Sequence, residues 1–114
     1  MALTVVRGTN LVEYHESTAL TSVGDNLEVH ADTSEFCFAA VVTGGANFEL
    51  AFETEFNGAS GTWFEIDTSK TINSDGEYIY WYTGKPVNRI RMRIKSISSG
   101  TPSVTPHIGL SYSS

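Results

Sequence analysis

Residues 47–56 read Asn47-Phe48-Glu49-Leu50-Ala51-Phe52-Glu53-Thr54-Glu55-Phe56. Phe48, Leu50, Phe52 and Phe56 fall on one parity, and Glu49, Ala51, Glu53 and Glu55 on the other. Successive side chains of an extended chain point to opposite faces, so this period of two predicts a strand with one apolar and one solvated face. The same period returns at residues 89–95, where Ile90, Met92 and Ile94 alternate with Arg89, Arg91, Arg93 and Lys95. Two such strands predict an antiparallel sheet covered on one side only.

Working outward, further strands are expected at residues 3–7, 10–15, 27–31, 35–43, 62–66, 77–82 and 103–112. The run from Phe36 to Val42 is apolar on both parities, which places it centrally. Turn signals separate the strands: Gly44-Gly45, Asn57-Gly58, Asp75-Gly76, Gly84-Lys85-Pro86 and Ser98-Ser99-Gly100-Thr101-Pro102. No segment longer than a turn or two has a helical period. The expected fold is all-β, an antiparallel β-sandwich of jelly-roll type with seven to nine strands; a small, partly open barrel is the alternative. Residues 1–114 are expected to form a single domain. Residues 1–25 are less patterned and are expected to form either an arm lying on another subunit or edge strands.

The chain has 114 residues, too few for a multidomain enzyme. Serine and threonine together number 26, which again favours strands and turns over helices. The one cysteine, Cys37, cannot form an internal disulfide. The first residues lack the apolar core and cleavage site of a signal peptide, and the longest apolar run is far short of the roughly 20 residues that span a bilayer. Synthesis in a reducing compartment and no membrane partner are therefore expected.

Candidate chemistry is sparse. His15, His30 and His107 fall on different predicted strands, and no metal or cofactor site is expected from them. Cys37, between Phe36 and Phe38, reads as a buried thiol with nothing basic beside it. Glu53, Glu55, Glu65 and Asp67 are available for the paired-carboxylate chemistry of a glycosidase, but Glu49, Glu53 and Glu55 share what reads as an ordinary solvated sheet face. No enzymatic activity is expected.

Charge is more informative. The formal net charge is -6, with 7 basic and 13 acidic residues. All 13 acids lie in the first 84 residues with only 2 basic residues, a net of -11; the last 30 carry 5 basic residues and no acid. That balance opposes nucleic-acid binding. The arginine ladder (Arg89, Arg91, Arg93) and the glutamate ladder (Glu53, Glu55) admit two readings: pairing across neighbouring strands, or contact with another subunit. Tyr78, Tyr80 and Tyr82 alternate with Ile79 and Trp81. If Ile79 and Trp81 face the core, the three tyrosines form an outward row suited to subunit contact or to sugar stacking.

The order NFELAFETEFNG, GTWFEI, SKTINSDGEYIYWY, GKPVNRIRMRIKSI and SVTPHIGLSYS, over residues 45–112, resembles small β-sandwich structural proteins of tailed bacteriophages. Arg89 to Arg93 give a looser similarity to discoidin-like carbohydrate-binding jelly rolls. The phage resemblance implies a virion protein, foremost a capsid decoration (cement) protein stabilising the head. It implies the major capsid protein or other virion proteins as partners, a homotrimer, and synthesis in the host cytoplasm before residence in the virion. A tail accessory or adhesion protein, or a carbohydrate-binding module with a glycan partner, is the alternative. The first 25 residues depart from the pattern.

Overall fold

In the computed structural model, the backbone is described for residues 2–7, 10–56 and 61–113, and the side chains for 12–56 and 61–112. The two sequence ladders turn out to be neighbours. Strand β5 (Asn47–Glu55) pairs antiparallel with β9 (Arg89–Ser99), bringing Glu53 opposite Arg91 and Phe52 opposite Met92. Their inward residues Phe48, Leu50, Phe52, Ile90, Met92 and Ile94 are essentially fully buried. The register shifts between Asn47 and Phe48 and between Glu49 and Leu50. The second shift leaves Lys95 opposite no residue of β5, an extra residue of the kind that bends a strand and re-aims its side chain.

Around this pair, β3 (Asn26–His30) adds to β9, and the short β6 (Phe64–Glu65) and β7 (Lys70–Ile72) share the other edge of β5. These strands form sheet B. Sheet A has the order β1-β2-β10-β4-β8, from β1 (Ala2–Arg7), β2 (Asn10–Glu16), β10 (Ser103–Ser113), β4 (Glu35–Thr43) and β8 (Gly76–Tyr82). Every pairing is antiparallel. From β2 to β5 the chain alternates between the sheets, and from β8 to β10 it does so again. Facing orders β2-β10-β4-β8 and β3-β9-β5-β6/β7 define a jelly roll. It is two packed sheets, not a barrel.

The core fills the space between the sheets. Phe38 of sheet A stacks on Phe52 of sheet B with ring centroids 4.4 Å apart and planes 5° from parallel. Phe36, Tyr80 and Tyr82 pack around them. Residues 1–25 do not leave the body as an arm where they are described: β1 is the edge of sheet A, β2 lies between β1 and β10, and Leu20 bridges to Val104. Among the described residues, no helix is long and apolar enough to cross a membrane.

The strand candidates all correspond to strands; β7 is the one that sequence reading missed. Phe56 lies just past the end of β5, 47% exposed and against Phe64, while Thr54 takes the inward position expected for an apolar residue. The Thr54 hydroxyl is satisfied there by donating to the Arg89 carbonyl at 2.9 Å.

Candidate functional site

The outer face of sheet B is closed on itself. Glu53 accepts hydrogen bonds from Arg91 Nε at 2.8 Å, Arg93 Nε at 2.9 Å and the Arg93 terminal nitrogen at 3.0 Å. Arg89 pairs with Glu55 at 3.5 Å and with Glu28 of β3. Lys95, re-aimed at the register shift, reaches Glu65 at 3.1 Å and Ser69 at 3.0 Å. The Arg91 guanidinium lies 4.0 Å from the centre of the Trp63 ring. Of the two readings of the ladders, the structure shows cross-strand pairing.

The solvated face expected for β5 is corrected in part: Glu53 and Glu55 are 5% and 3% exposed, because long arginine side chains fold over them. Burial acts to raise the Glu53 pKa, but hydrogen bonds from Arg93 and Arg91 outweigh it and hold the carboxyl below the ordinary glutamate value. Glu65 and Asp67, also considered for acid–base work, are committed as well. Ser69 and Lys95 lower Glu65, and Lys70 with the Thr68 N–H lowers Asp67. A group held ionised in this way is a poor general acid.

The tyrosine row is a second correction. Tyr78, Tyr80 and Tyr82 point inward, while Ile79 is 49% and Trp81 72% exposed. The register explains it: Tyr82 lies opposite Phe36, Tyr80 opposite Phe38 and Tyr78 opposite Ala40, all inward residues of β4. At the margin of the sandwich a tyrosine can bury its ring and still satisfy its hydroxyl. Tyr82 donates to Asp67 at 3.2 Å and Tyr78 to the Ser74 carbonyl at 2.6 Å. With the tyrosines inside and Trp63 under Arg91, Trp81 is the sugar-stacking candidate that reaches the surface.

The outer face of sheet A is therefore the open one. Val41 is 40% exposed, Tyr14 41%, and both accompany Ile79 and Trp81. Between β2 and β8 the central strands carry Cys37, Ala39 and Gly109, so the face is hollowed into a groove of 390 Å³. Its walls are Tyr14 on one side and Ile79 and Trp81 on the other. A methyl group at Gly109 would sit 2.9 Å from Cys37 Sγ, so the thiol would have to turn away to admit it. Cys37, expected to be buried, is only partly so and faces the groove. Its surroundings push the thiol pKa up, chiefly by desolvation. His15 and His107, on different strands as expected, lie on neighbouring ones at one end of the groove; His107 is 3.5 Å from Glu16. His30 is on the other sheet, beside Asp32 at 2.6 Å. Among the described residues no three histidine, cysteine or carboxylate side chains cluster as a metal site.

No protein-family model matches the chain, and no curated protein matches it. Among solved structures it is similar to one of Bacillus endospore appendages, described as disulfide-linked pili, at 11% identity and a TM-score of 0.45, over 96% of this chain and 94% of that one. It is similar to PirA at 11% identity and a TM-score of 0.44, over 98% and 92%. A chain of infectious bursal disease virus, Gx strain, gives 12% identity and a TM-score of 0.43, over 96% of this chain and 32% of that one. Likenesses at this level carry no argument about function.

Proposed function

We propose that this protein is a non-catalytic structural subunit of a virion, a decoration protein set on the outside of a phage head. The observation that carries the reading is the contrast between the two outer faces. Sheet B neutralises its own charges, while sheet A exposes Tyr14, Val41, Ile79 and Trp81 around a groove. An apolar face of this kind on a small soluble fold is where another protein sits. The mechanism is mechanical: area buried between subunit and lattice opposes expansion of the shell. Assembly as a homotrimer belongs to the same proposal and is checked by light scattering.

The test is mass spectrometry and immunogold labelling of gradient-purified virions from the source culture. The expected result is many copies per head. Finding the protein only outside the virion fraction refutes the reading. Trp81, 72% exposed, favours one second reading, a glycan-binding module stacking a sugar on that ring. Sugar-dependent change in tryptophan emission, lost in Trp81→Ala, would support it.

A further inference from the structure

We infer that the groove on the outer face of sheet A receives an extended segment of a different protein, apolar at its centre and flanked by lysine or arginine. The inference rests on the structural-subunit reading and names the chemistry of the partner.

Shape comes first. β2 and β8 are separated by β10 and β4, so the groove walls stand three strand spacings apart, about 14 Å. The floor of Cys37, Ala39 and Gly109 lies low between Tyr14 and the Ile79/Trp81 wall. One extended chain lying along the strands fits between walls so spaced, since a strand takes up only about 4.8 Å in the plane of a sheet.

Charge decides the occupant. Register places Glu16, Glu35 and Glu77 on the outward parity, opposite His107, Ser111 and Val41 respectively. They surround the apolar centre. Among the described side chains of sheet A there is no lysine or arginine. A second copy laid face to face would bring its own Glu16, Glu35 and Glu77 to this rim, which costs binding energy and slows encounter. Nor do the other described residues offer a clustered basic surface. Lys70 is held by Asp67, Arg89 by Glu28 and Glu55, Arg91 and Arg93 by Glu53, and Lys95 by Glu65. Lys85 lies outside these pairs, at the Glu35 end of the face, its backbone N–H 3.4 Å from the Ser34 carbonyl; it leaves the Glu16 and Glu77 ends of the rim acidic. The complement of an acidic rim around an apolar groove is a basic-flanked apolar strand from elsewhere.

The test uses the intact chain and two synthetic peptides. Each alternates valine and threonine, one carrying two lysines at either end and its twin two glutamates. The readout is the pair of tryptophan indole N–H signals by NMR, with Trp81 identified from Trp81→Phe. The lysine peptide should move the Trp81 signal and leave that of Trp63, on the other sheet, in place. Its affinity should fall roughly tenfold from 50 to 500 mM salt as the rim is screened. The glutamate twin should not bind, and Glu16→Gln with Glu77→Gln should weaken the lysine peptide several-fold.

Equal binding of both peptides, or no movement of Trp81, overturns the inference. So does self-association by sedimentation that Trp81→Ser abolishes, because a second copy then fills the groove. A chain present in virions whose Trp81 ignores the lysine peptide refutes this inference and leaves the structural reading intact. A chain absent from virions that binds the peptide does the reverse.

Discussion

Replacing Glu53 by glutamine probes the ion-pair cluster that closes sheet B. Glutamine keeps the shape and an acceptor oxygen but removes the charge that two arginines share. Glu53 accepts three hydrogen bonds of 2.8–3.0 Å. Its side chain is 6% exposed, against 18% for Arg91 and 23% for Arg93. Breaking a fully buried ion pair costs about 3–5 kcal/mol. Here both guanidinium groups retain some water, and Arg91 keeps its place over Trp63, so the expected loss is smaller, about 2 kcal/mol. In a domain of this size that lowers the melting temperature by roughly 8 °C.

Urea unfolding at pH 7, followed by tryptophan fluorescence and circular dichroism, measures the loss. Acid titration supplies a second readout. The folded Glu53 pKa lies below the unfolded value of about 4.3, so the unfolded chain binds the extra proton between those two values. This contribution is whole above the unfolded pKa and is lost as pH falls through the folded one. Glu53→Gln should flatten that part of the acid limb. A loss under about 0.5 kcal/mol, the size of an ordinary surface substitution, with an unchanged acid limb would refute the view that this cluster holds the sheet.

Phe38→Ala removes one ring of the central stack and should cost about 4 kcal/mol in urea unfolding, near the limit for a domain of ordinary stability. Gly44 has φ +105°, and a methyl group there would press into the Thr101 carbonyl oxygen; Gly24 has φ +94° with open space around it. Gly44→Ala should therefore cost at least about 2 kcal/mol, and Gly24→Ala about 1 kcal/mol, so equal losses would show that backbone conformation alone matters. Cys37 should react with iodoacetamide at pH 7.5 roughly tenfold more slowly in the folded chain than in urea, and equal rates would contradict its raised pKa.

Much of the architecture is legible in the chain because period two is a local property. The parity of Phe48, Leu50 and Phe52, and of Ile90, Met92 and Ile94, identifies inward faces before any pairing is known. Pairing itself is not local. Nothing near Arg91 in sequence shows that Glu53 lies opposite, so the ladders admit two readings until the register decides. The tyrosines fail for another reason: a Tyr/Ile/Trp alternation has two plausible inward faces, and hydropathy favours the wrong one. Tyrosines win the interior because Ser74 and Asp67 wait at its rim for two of their hydroxyls. β7 escapes because Lys70-Thr71-Ile72 is too short to show a period. The groove was half legible. Cys37, Ala39 and Val41 form the second apolar parity of β4, and a strand apolar on both sides signals either a covered sheet or an uncovered partner surface.

The last strand in the sequence occupies the middle of its sheet. β10 lies between the β1–β2 pair and the β4–β8 pair and joins them. A ribosome emitting this chain therefore releases two separate fragments of sheet A long before the strand that joins them. Until residues 103–113 emerge, Phe36, Phe38 and Val42 lack the strand that aligns beside them in the finished sheet. Such long-range closure is slow, and the waiting chain is prone to aggregate. Yield in a heterologous host should thus respond more to growth temperature and translation speed than to surface substitutions, and truncating β10 should give inclusion bodies where truncating β1 does not.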